Sequence, residues 1–371
     1  MVSGKHGPEM RRPFLVLCLL GLLSSAASAR PLAVGDVIRV LKPLLTRHAV
    51  PALGGAIVTS QGLQAIGVVG VRRSGTAVPV TAEDRWHLGS DTKAMTATML
   101  GTLVEERKLR WNTTVGEVFG SQIPELSASA RSITLLQLLQ HRSGLPKDLD
   151  WHAISPQQPI RDQRLQAART AFTRRLAAKR GSYLYSNLGY VIAASMAEQR
   201  TGQTWEALME SRVFGRLGMT SVGYGPVTGR AGAWGHDETG RPVTLDNPPV
   251  IGPAGRVHCS LSDWSRFVSD QLKGARGERA LLEPQTYRTL QTPPAGAEDA
   301  CGWQIMQRAW GGRILTHDGS NNLNYSVAWL SPERDFAVLL TANRGGTEAA
   351  AACDEAAGSL IEAWLDRSRH R

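Results

Sequence analysis

Apolar residues near both ends of the chain form short runs that are typical of β-strands. Residues 55–59 and 63–68 are two such runs on either side of a Gln61-Gly62 turn, which predicts a β-hairpin. The same signal returns late in the sequence, where strands are predicted at residues 302–306, 325–330 and 336–340. Strands at both ends predict an antiparallel sheet built from segments that lie far apart in sequence.

Helical patterns accompany these runs. Residues 36–48 predict an N-terminal helix that Pro43 kinks or ends early, and residues 348–366 predict a C-terminal helix. An extended segment at residues 86–88 leads into a mostly apolar helix that is predicted to run to about Glu106.

The middle of the chain has little strand signal. It is rich in proline, glycine and arginine, and it predicts helices and loops. The predicted fold class is therefore α/β, of the α+β type, with an antiparallel sheet flanked by helices and a mainly helical inserted subdomain. The α/β part is expected at about residues 30–108 and 250–371, and the helical part at about residues 109–249.

Composition and charge narrow the function classes. Of the 371 residues, 42% are hydrophobic, which is enough for a large core. The formal net charge is +10, and the densest basic run lies between Arg161 and Arg180, with a spacing that suits solvated helix faces. Because no zinc-finger, helix-turn-helix or aromatic-interleaved signature occurs, we expect no nucleic-acid partner. No segment beyond the N-terminus is apolar enough to predict a membrane span.

The N-terminus has the features of a secretory signal. Basic residues precede an apolar run at residues 14–23, and Ala27-Ser28-Ala29 then supplies a small-residue cleavage site. We expect residues 1–29 to be a signal peptide that is cleaved near Ala29, with a periplasmic or secreted mature protein. Arg11-Arg12 leaves both the general and the twin-arginine export routes open.

Three cysteines, Cys259, Cys301 and Cys353, follow that segment. In an oxidising compartment an odd number allows at most one internal disulfide, and the sequence does not choose the pair. No His, Cys or Asp spacing matches a zinc site, so neither a metal nor a cofactor is expected.

The spacing of Ser90 and Lys93 is the strongest chemical signal in the chain. Residues three apart on a helix are neighbours, so the amine of Lys93 is expected within reach of the Ser90 hydroxyl proton. A lysine can act as a base there only if burial or another cation lowers its pKa. At the start of a helix, free backbone N–H groups would also favour negative charge that develops on a substrate.

Two later motifs offer partners for this pair. Tyr185 precedes a helix, and its phenol could move a proton if a nearby cationic lysine lowers its pKa. Asn187 offers a donor and an acceptor for a substrate amide. His317-Asp318-Gly319 opens the approach to a strand pair, and Gly319 would let a substrate backbone lie close to that edge.

With these three motifs the chain resembles the serine β-lactamase and penicillin-binding family, in the branch of class C β-lactamases, D,D-peptidases and related esterases. The motifs are S-x-x-K, Y-x-N and H-x-G, and the resemblance extends from about Val50 to the C-terminus. It implies an acyl-enzyme serine hydrolase that acts on amide or ester bonds of a β-lactam, a D-amino-acid peptide or an ester. A catalytically weak penicillin-binding or scaffold module of the same fold is the alternative, and we expect a monomer.

The resemblance also implies residue roles. Ser90 would be the nucleophile, Lys93 its base or electrostatic partner, and Tyr185 a proton shuttle. Asn187 would hold the amide of the acyl group, and the backbone N–H groups of Ser90 and Ser320 would form the oxyanion hole.

The third motif departs from the class C pattern, which has Lys-Thr-Gly where this chain has His317, Asp318 and Gly319. A histidine with a pKa of about 6.5 is mostly neutral at pH 7 unless a neighbour such as Asp318 raises its pKa. It would therefore hold the carboxylate of a β-lactam less firmly, which favours a peptidase or an esterase.

Overall fold

The computed structural model describes residues 33–230 and 232–369, so the signal-peptide prediction lies outside the described residues. The strands are β1 (Ala52–Thr59), β2 (Gly62–Gly70), β3 (Arg85–His87), β4 (Gly223–Tyr224), β5 (Val257–Ser260), β6 (Gln304–Arg308), β7 (Gly312–Ser320), β8 (Tyr325–Ser331) and β9 (Phe336–Ala342).

The helices vary from single turns to 23 residues. They are α1 (Val34–Arg47), α2 (Thr92–Glu105), α3 (Val115–Phe119), α4 (Ala128–Arg131), α5 (Leu135–Leu139), α6 (Ile160–Phe172), α7 (Asn187–Thr201), α8 (Trp205–Met209), α9 (Gly215–Leu217), α10 (Gly252–Gly255), α11 (Leu261–Ala275), α12 (Pro284–Gln291) and α13 (Thr347–Arg369).

The main sheet has six strands in the order β2-β1-β9-β8-β7-β6, and every neighbouring pair is antiparallel. The predicted hairpin and late strands are thus confirmed, as is the predicted fold class. All eight residues of β1 are buried, and the packing on this strand is close. At Gly54, a Cβ would lie 2.8 Å from Thr341 Oγ1 and 2.9 Å from Leu261 Cδ1. A side chain at this position would push the covering helix α11 away from the sheet.

Helices cover both faces of this sheet. Helices α1 and α13 pack on one face, where they bury apolar side chains such as Val37, Leu41 and Leu360. The expectation that Pro43 ends α1 early is wrong, because the helix continues to Arg47. Packing of its apolar side against the sheet outweighs the loss of the one backbone N–H that proline cannot supply. On the other face lies the larger core, which includes α2 and α11.

The described residues between α2 and α10 form helices and loops, as expected, and their one short strand, β4, pairs with β5. The expectation of solvated basic faces between Arg161 and Arg180 is wrong at one position. Arg174, Arg175 and Lys179 are exposed, but Arg164 on α6 is fully buried. The pattern did not separate this arginine from its neighbours.

The three cysteines Cys259, Cys301 and Cys353 are all buried and unpaired, so none of the three possible disulfides forms. Burial raises the pKa of each thiol, which keeps these side chains in the apolar, protonated form. Within residues 33–230 and 232–369, no helix combines the length and the apolar character needed to cross a bilayer.

Candidate active site

Ser90 lies in a 3₁₀ turn, Gly89–Asp91, that leads directly into α2. This turn packs against the end of β7. Gly89 has a φ of 48°, and a Cβ there would lie 2.3 Å from the Ser320 backbone nitrogen. A Cβ on Gly319 would lie 2.0 Å from the Leu88 carbonyl oxygen and 2.8 Å from the Ser90 nitrogen. Both glycines are therefore needed to bring the backbones of Ser90 and Ser320 together.

A histidine outside the predicted motifs fixes the entry to this turn. The Gly89 backbone N–H donates to His87 Nδ1 over 3.1 Å, so the ring proton must lie on Nε2. This Nε2–H donates a hydrogen bond to Asp246 Oδ2 over 3.0 Å. Asp246 also accepts from Asn321 Nδ2 and so links the turn to the segment after β7. No sequence spacing connects His87 with Asp246.

Lys93 lies one helical turn after Ser90, and its side chain is fully buried. Its Nζ donates to Ser90 Oγ over 3.0 Å, to Asn187 Oδ1 over 2.8 Å and to the Ala254 carbonyl over 2.7 Å. Burial lowers the pKa of Lys93 to about 7, against the opposing effect of nearby carboxylates such as Asp148. The amine can therefore exchange a proton at neutral pH.

The acceptors around Lys93 determine where the lone pair of the neutral amine points. A neutral amine has two N–H groups, and the Ala254 carbonyl and Asn187 Oδ1 can only accept hydrogen bonds. Ser90 Oγ is the one partner of the three that can also donate. In the neutral form, the lone pair of Lys93 is therefore directed at the Ser90 hydroxyl proton.

Tyr185 contacts the same hydroxyl. Its Oη lies 2.8 Å from Ser90 Oγ, and its ring stacks on His141 with the centroids 4.5 Å apart. Lys93 Nζ lies 4.8 Å from the centroid of the tyrosine ring. The expectation that this lysine lowers the tyrosine pKa is wrong: burial raises the pKa of Tyr185, and the charge of Asp318 adds to the effect. At neutral pH the phenol keeps its proton.

Asn187, the first residue of α7, is held by two different partners. Its Oδ1 accepts from Lys93, while its Nδ2 donates to Asp148 Oδ1 over 3.0 Å and to Oδ2 over 3.3 Å. The sequence predicted that Asn187 would lie near Ser90 and Lys93, but it did not identify Asp148. No motif marks this aspartate, since it follows a Gly144-Leu145-Pro146 loop without any regular pattern.

His317 lies on β7 and completes the predicted set. Its Nδ1 lies 2.6 Å from the backbone carbonyl of Asp318, so the ring is not paired with the carboxylate of that residue. Burial and the nearby Lys93 lower the pKa of His317 to about 4. The imidazole is therefore neutral over the physiological range.

These side chains line a cleft of about 740 Å³ at the edge of the sheet. Ser90, Tyr185, Asn187, His317 and Ser320 all contribute to its wall. Other side chains that the sequence did not predict contribute too, and they include Lys147, Asp148, Asp150, Trp151, Tyr183, Asp299 and Asn321. The structure thus brings the three motifs together at one cavity.

Comparisons with known proteins identify the family to which the chain belongs. The profile of the beta-lactamase family matches residues 37–361, so the chain belongs to that family, whose members are generally serine hydrolases. The unguisins hydrolase of Aspergillus campestris is 27% identical in an alignment 338 residues long, which covers 83% of this chain and only 61% of that protein. Penicillin-binding protein 4 of Amycolatopsis lactamdurans is 27% identical over 81% of this chain and 83% of its own length.

A solved structure shows the same fold. D-alanine carboxypeptidase AmpC from Burkholderia cenocepacia superimposes with a TM-score of 0.72 at 21% identity, covering 87% of this chain and 98% of that one.

Proposed function

We propose that this member of the beta-lactamase family is an exported serine hydrolase that cleaves an amide or ester bond through an acyl-enzyme on Ser90. One observation supports this most directly: Ser90 Oγ has both Lys93 Nζ and Tyr185 Oη within 3.0 Å. A lysine with a pKa of about 7 matches the requirement for a general base near neutral pH.

In the acylation step, Ser90 Oγ attacks the scissile carbonyl carbon while its proton moves to the lone pair of Lys93 Nζ. The bond from that carbon to the leaving nitrogen or oxygen then breaks. The leaving atom takes a proton from Tyr185 Oη, and the resulting tyrosinate is reprotonated at the expense of the Lys93 ammonium, which returns to the neutral amine. Water then attacks the ester carbon and gives one proton to Lys93 Nζ; the bond to Ser90 Oγ breaks, that oxygen takes the proton from Lys93, and a carboxylic acid is released.

The oxyanion would be held by the backbone N–H groups of Ser90 and Ser320, at the contact between the 3₁₀ turn and β7. Loss of one such donor typically lowers the rate by about 10²–10³-fold. A Cβ at Gly319 would enter this contact, so Gly319→Ala is expected to abolish turnover.

A neutral His317 favours peptidase or esterase activity over efficient β-lactam hydrolysis. A β-lactam carries a carboxylate, and a neutral imidazole whose Nδ1 proton is donated to the Asp318 carbonyl offers that carboxylate neither a charge nor a second N–H donor. Amide and ester substrates without that carboxylate lose nothing when histidine stands in place of lysine at this position.

The direct test is covalent labelling of the purified protein. We expect a fluorophosphonate probe to add one adduct, visible by intact-mass spectrometry, and peptide mapping to place it on Ser90. Ser90→Ala should lose the adduct with nearly unchanged thermal stability. Labelling elsewhere, or none, would refute the nucleophile. A stable adduct with penicillin and no ester turnover would instead favour the penicillin-binding module.

A further inference from the structure

Asp148 places an unneutralised carboxylate on the wall of the cleft. Its oxygens accept hydrogen bonds from Asn187 Nδ2 over 3.0 Å and from Trp151 Nε1 over 3.1 Å. Both of these donors are neutral groups. Among the residues that the structure describes, Asp148 has no ion-pair partner, so its negative charge is available to a ligand in the cavity.

On the rest of the cleft wall, acidic residues outnumber basic ones. Asp150 and Asp299 also line the cavity, and Lys147 is the only lysine or arginine among its described lining residues. Lys93 lies behind the wall, fully buried, with its N–H groups already engaged. A chain with a formal net charge of +10 therefore presents a largely acidic cleft to its substrate.

Asn187 is not free to bind the carbonyl of an acyl amide. Its Oδ1 is engaged by Lys93 and its Nδ2 by both oxygens of Asp148. A substrate carbonyl that approached the amide would meet the Asp148 oxygens, and two acceptors repel each other. A protonated amine has only donors, so it would find a charge-assisted partner at the same place.

We propose that the substrate has a protonated amino group on its acyl side, next to the scissile carbonyl, and that Asp148 binds this group. The inference rests on the proposed function, since it assumes that the acyl group becomes attached to Ser90. It assigns the cleft to aminoacyl esters or amides with a free amine, in preference to N-acylated or carboxylate-bearing substrates.

The test compares two 4-nitrophenyl esters that differ only in charge near the scissile carbonyl. The alanyl ester carries an ammonium where the 2-methylpropanoyl ester carries a methyl group of similar size. Wild type is expected to prefer the alanyl ester in kcat/KM. In Asp148→Asn, the alanyl-to-methylpropanoyl ratio should fall by about ten-fold or more, because a neutral amide cannot form the ion pair. Asp162→Asn, the same charge change on the exposed start of α6, should leave the ratio unchanged.

The alanyl-to-methylpropanoyl ratio of kcat/KM separates recognition of the substrate ammonium from the other effects of Asp148. This carboxylate also raises the pKa of Lys93, so its removal should shift the pH dependence for both esters alike. Equal rate changes for the two esters in Asp148→Asn, or no change for either, would overturn the proposal even if fluorophosphonate still labels Ser90. Loss of labelling in the wild type would refute the proposed function instead.

Discussion

Lys93 and Arg164 are both fully buried cations, yet their hydrogen-bond partners and the directions of their pKa shifts differ. Arg164 donates to two carboxylates, Glu198 and Glu206, each at 2.6 Å, and the pKa of its guanidinium is raised despite burial. Lys93 donates to a hydroxyl, an amide and a carbonyl, and its pKa is lowered to about 7. Burial alone therefore does not identify a functional cation. The charge of its partners decides whether the cation is permanent or can release a proton.

The largest effect should come from removing the titratable cation. Lys93→Met is expected to lower kcat/KM for an ester by up to about 10⁴-fold, because Tyr185, the other described side chain at hydrogen-bond distance from Ser90 Oγ, keeps its proton at neutral pH. Thermal stability should stay the same or rise, since the variant no longer buries an amine among neutral partners. Kinetics and a melting curve on the same sample check both parts. Retained activity would show that Tyr185 alone can act as the base.

Removing Arg164, the permanent cation, should lower stability and leave activity nearly unchanged, which is the opposite of the result expected for Lys93→Met. Arg164→Met leaves Glu198 buried without its partner, which is expected to lower the free energy of unfolding by about 3–5 kcal/mol. The kcat of the folded fraction should stay within about two-fold, because Arg164 does not line the cleft. Denaturant unfolding with active-site titration measures both quantities.

A double variant sharpens this result. Arg164→Met combined with Glu198→Met removes both buried charges, and it should recover part of the lost stability. If the single variant were as stable as wild type, the contrast between the two cations would be lost.

The difference between these cations also explains which features the sequence could predict. Ser90 and Lys93 are three residues apart, so local helical geometry placed them together. Arg164 lies 34 and 42 residues from its two carboxylates, and Asp148 lies 39 residues from Asn187. Nothing in the spacing of the chain connects such partners, because their contact depends on how α6, α7 and α8 pack.

For Tyr185, the sequence predicted which residues lie close together but not how the side chains are oriented. The sequence indicated that this tyrosine lies near Lys93, but not that the amine lies over the ring face, 4.8 Å from its centroid. The strands were easier to predict, since short runs of apolar residues are a local signal at both ends of the chain. The helix α1 was predicted well except at Pro43, where packing outweighed a local preference.

The pH dependence of turnover should follow the titratable cation. Only the neutral amine of Lys93 can accept the serine proton, so kcat/KM should rise as pH increases through about 7 and then level off. Two pH units below that value, the rate should be lower by about 100-fold, since the neutral fraction falls ten-fold per unit. Stability should show the same sign, because the unfolded lysine binds more protons above pH 7 than the folded one. A rate that is constant from pH 5 to pH 8 would contradict this assignment.

The smallest expected effect comes from adding a third cation, this time one that faces the cleft. Histidine at position 317 has a pKa of about 4, so acid does not charge it before Lys93 has lost its activity as a base. The sequence alone had suggested ordinary titration near pH 6.5, and that expectation is wrong.

His317→Lys supplies a lasting charge, which should increase acylation by penicillins at pH 7–8 by about ten-fold. Neutral esters should gain nothing, and alanyl esters should lose, because a cation at this position opposes the field of Asp148. The measurement is the second-order acylation rate for all three substrates. Equal gains for charged and neutral substrates would mean that residue 317 does not contact the substrate carboxylate, and that the charge of the cleft does not set its preference.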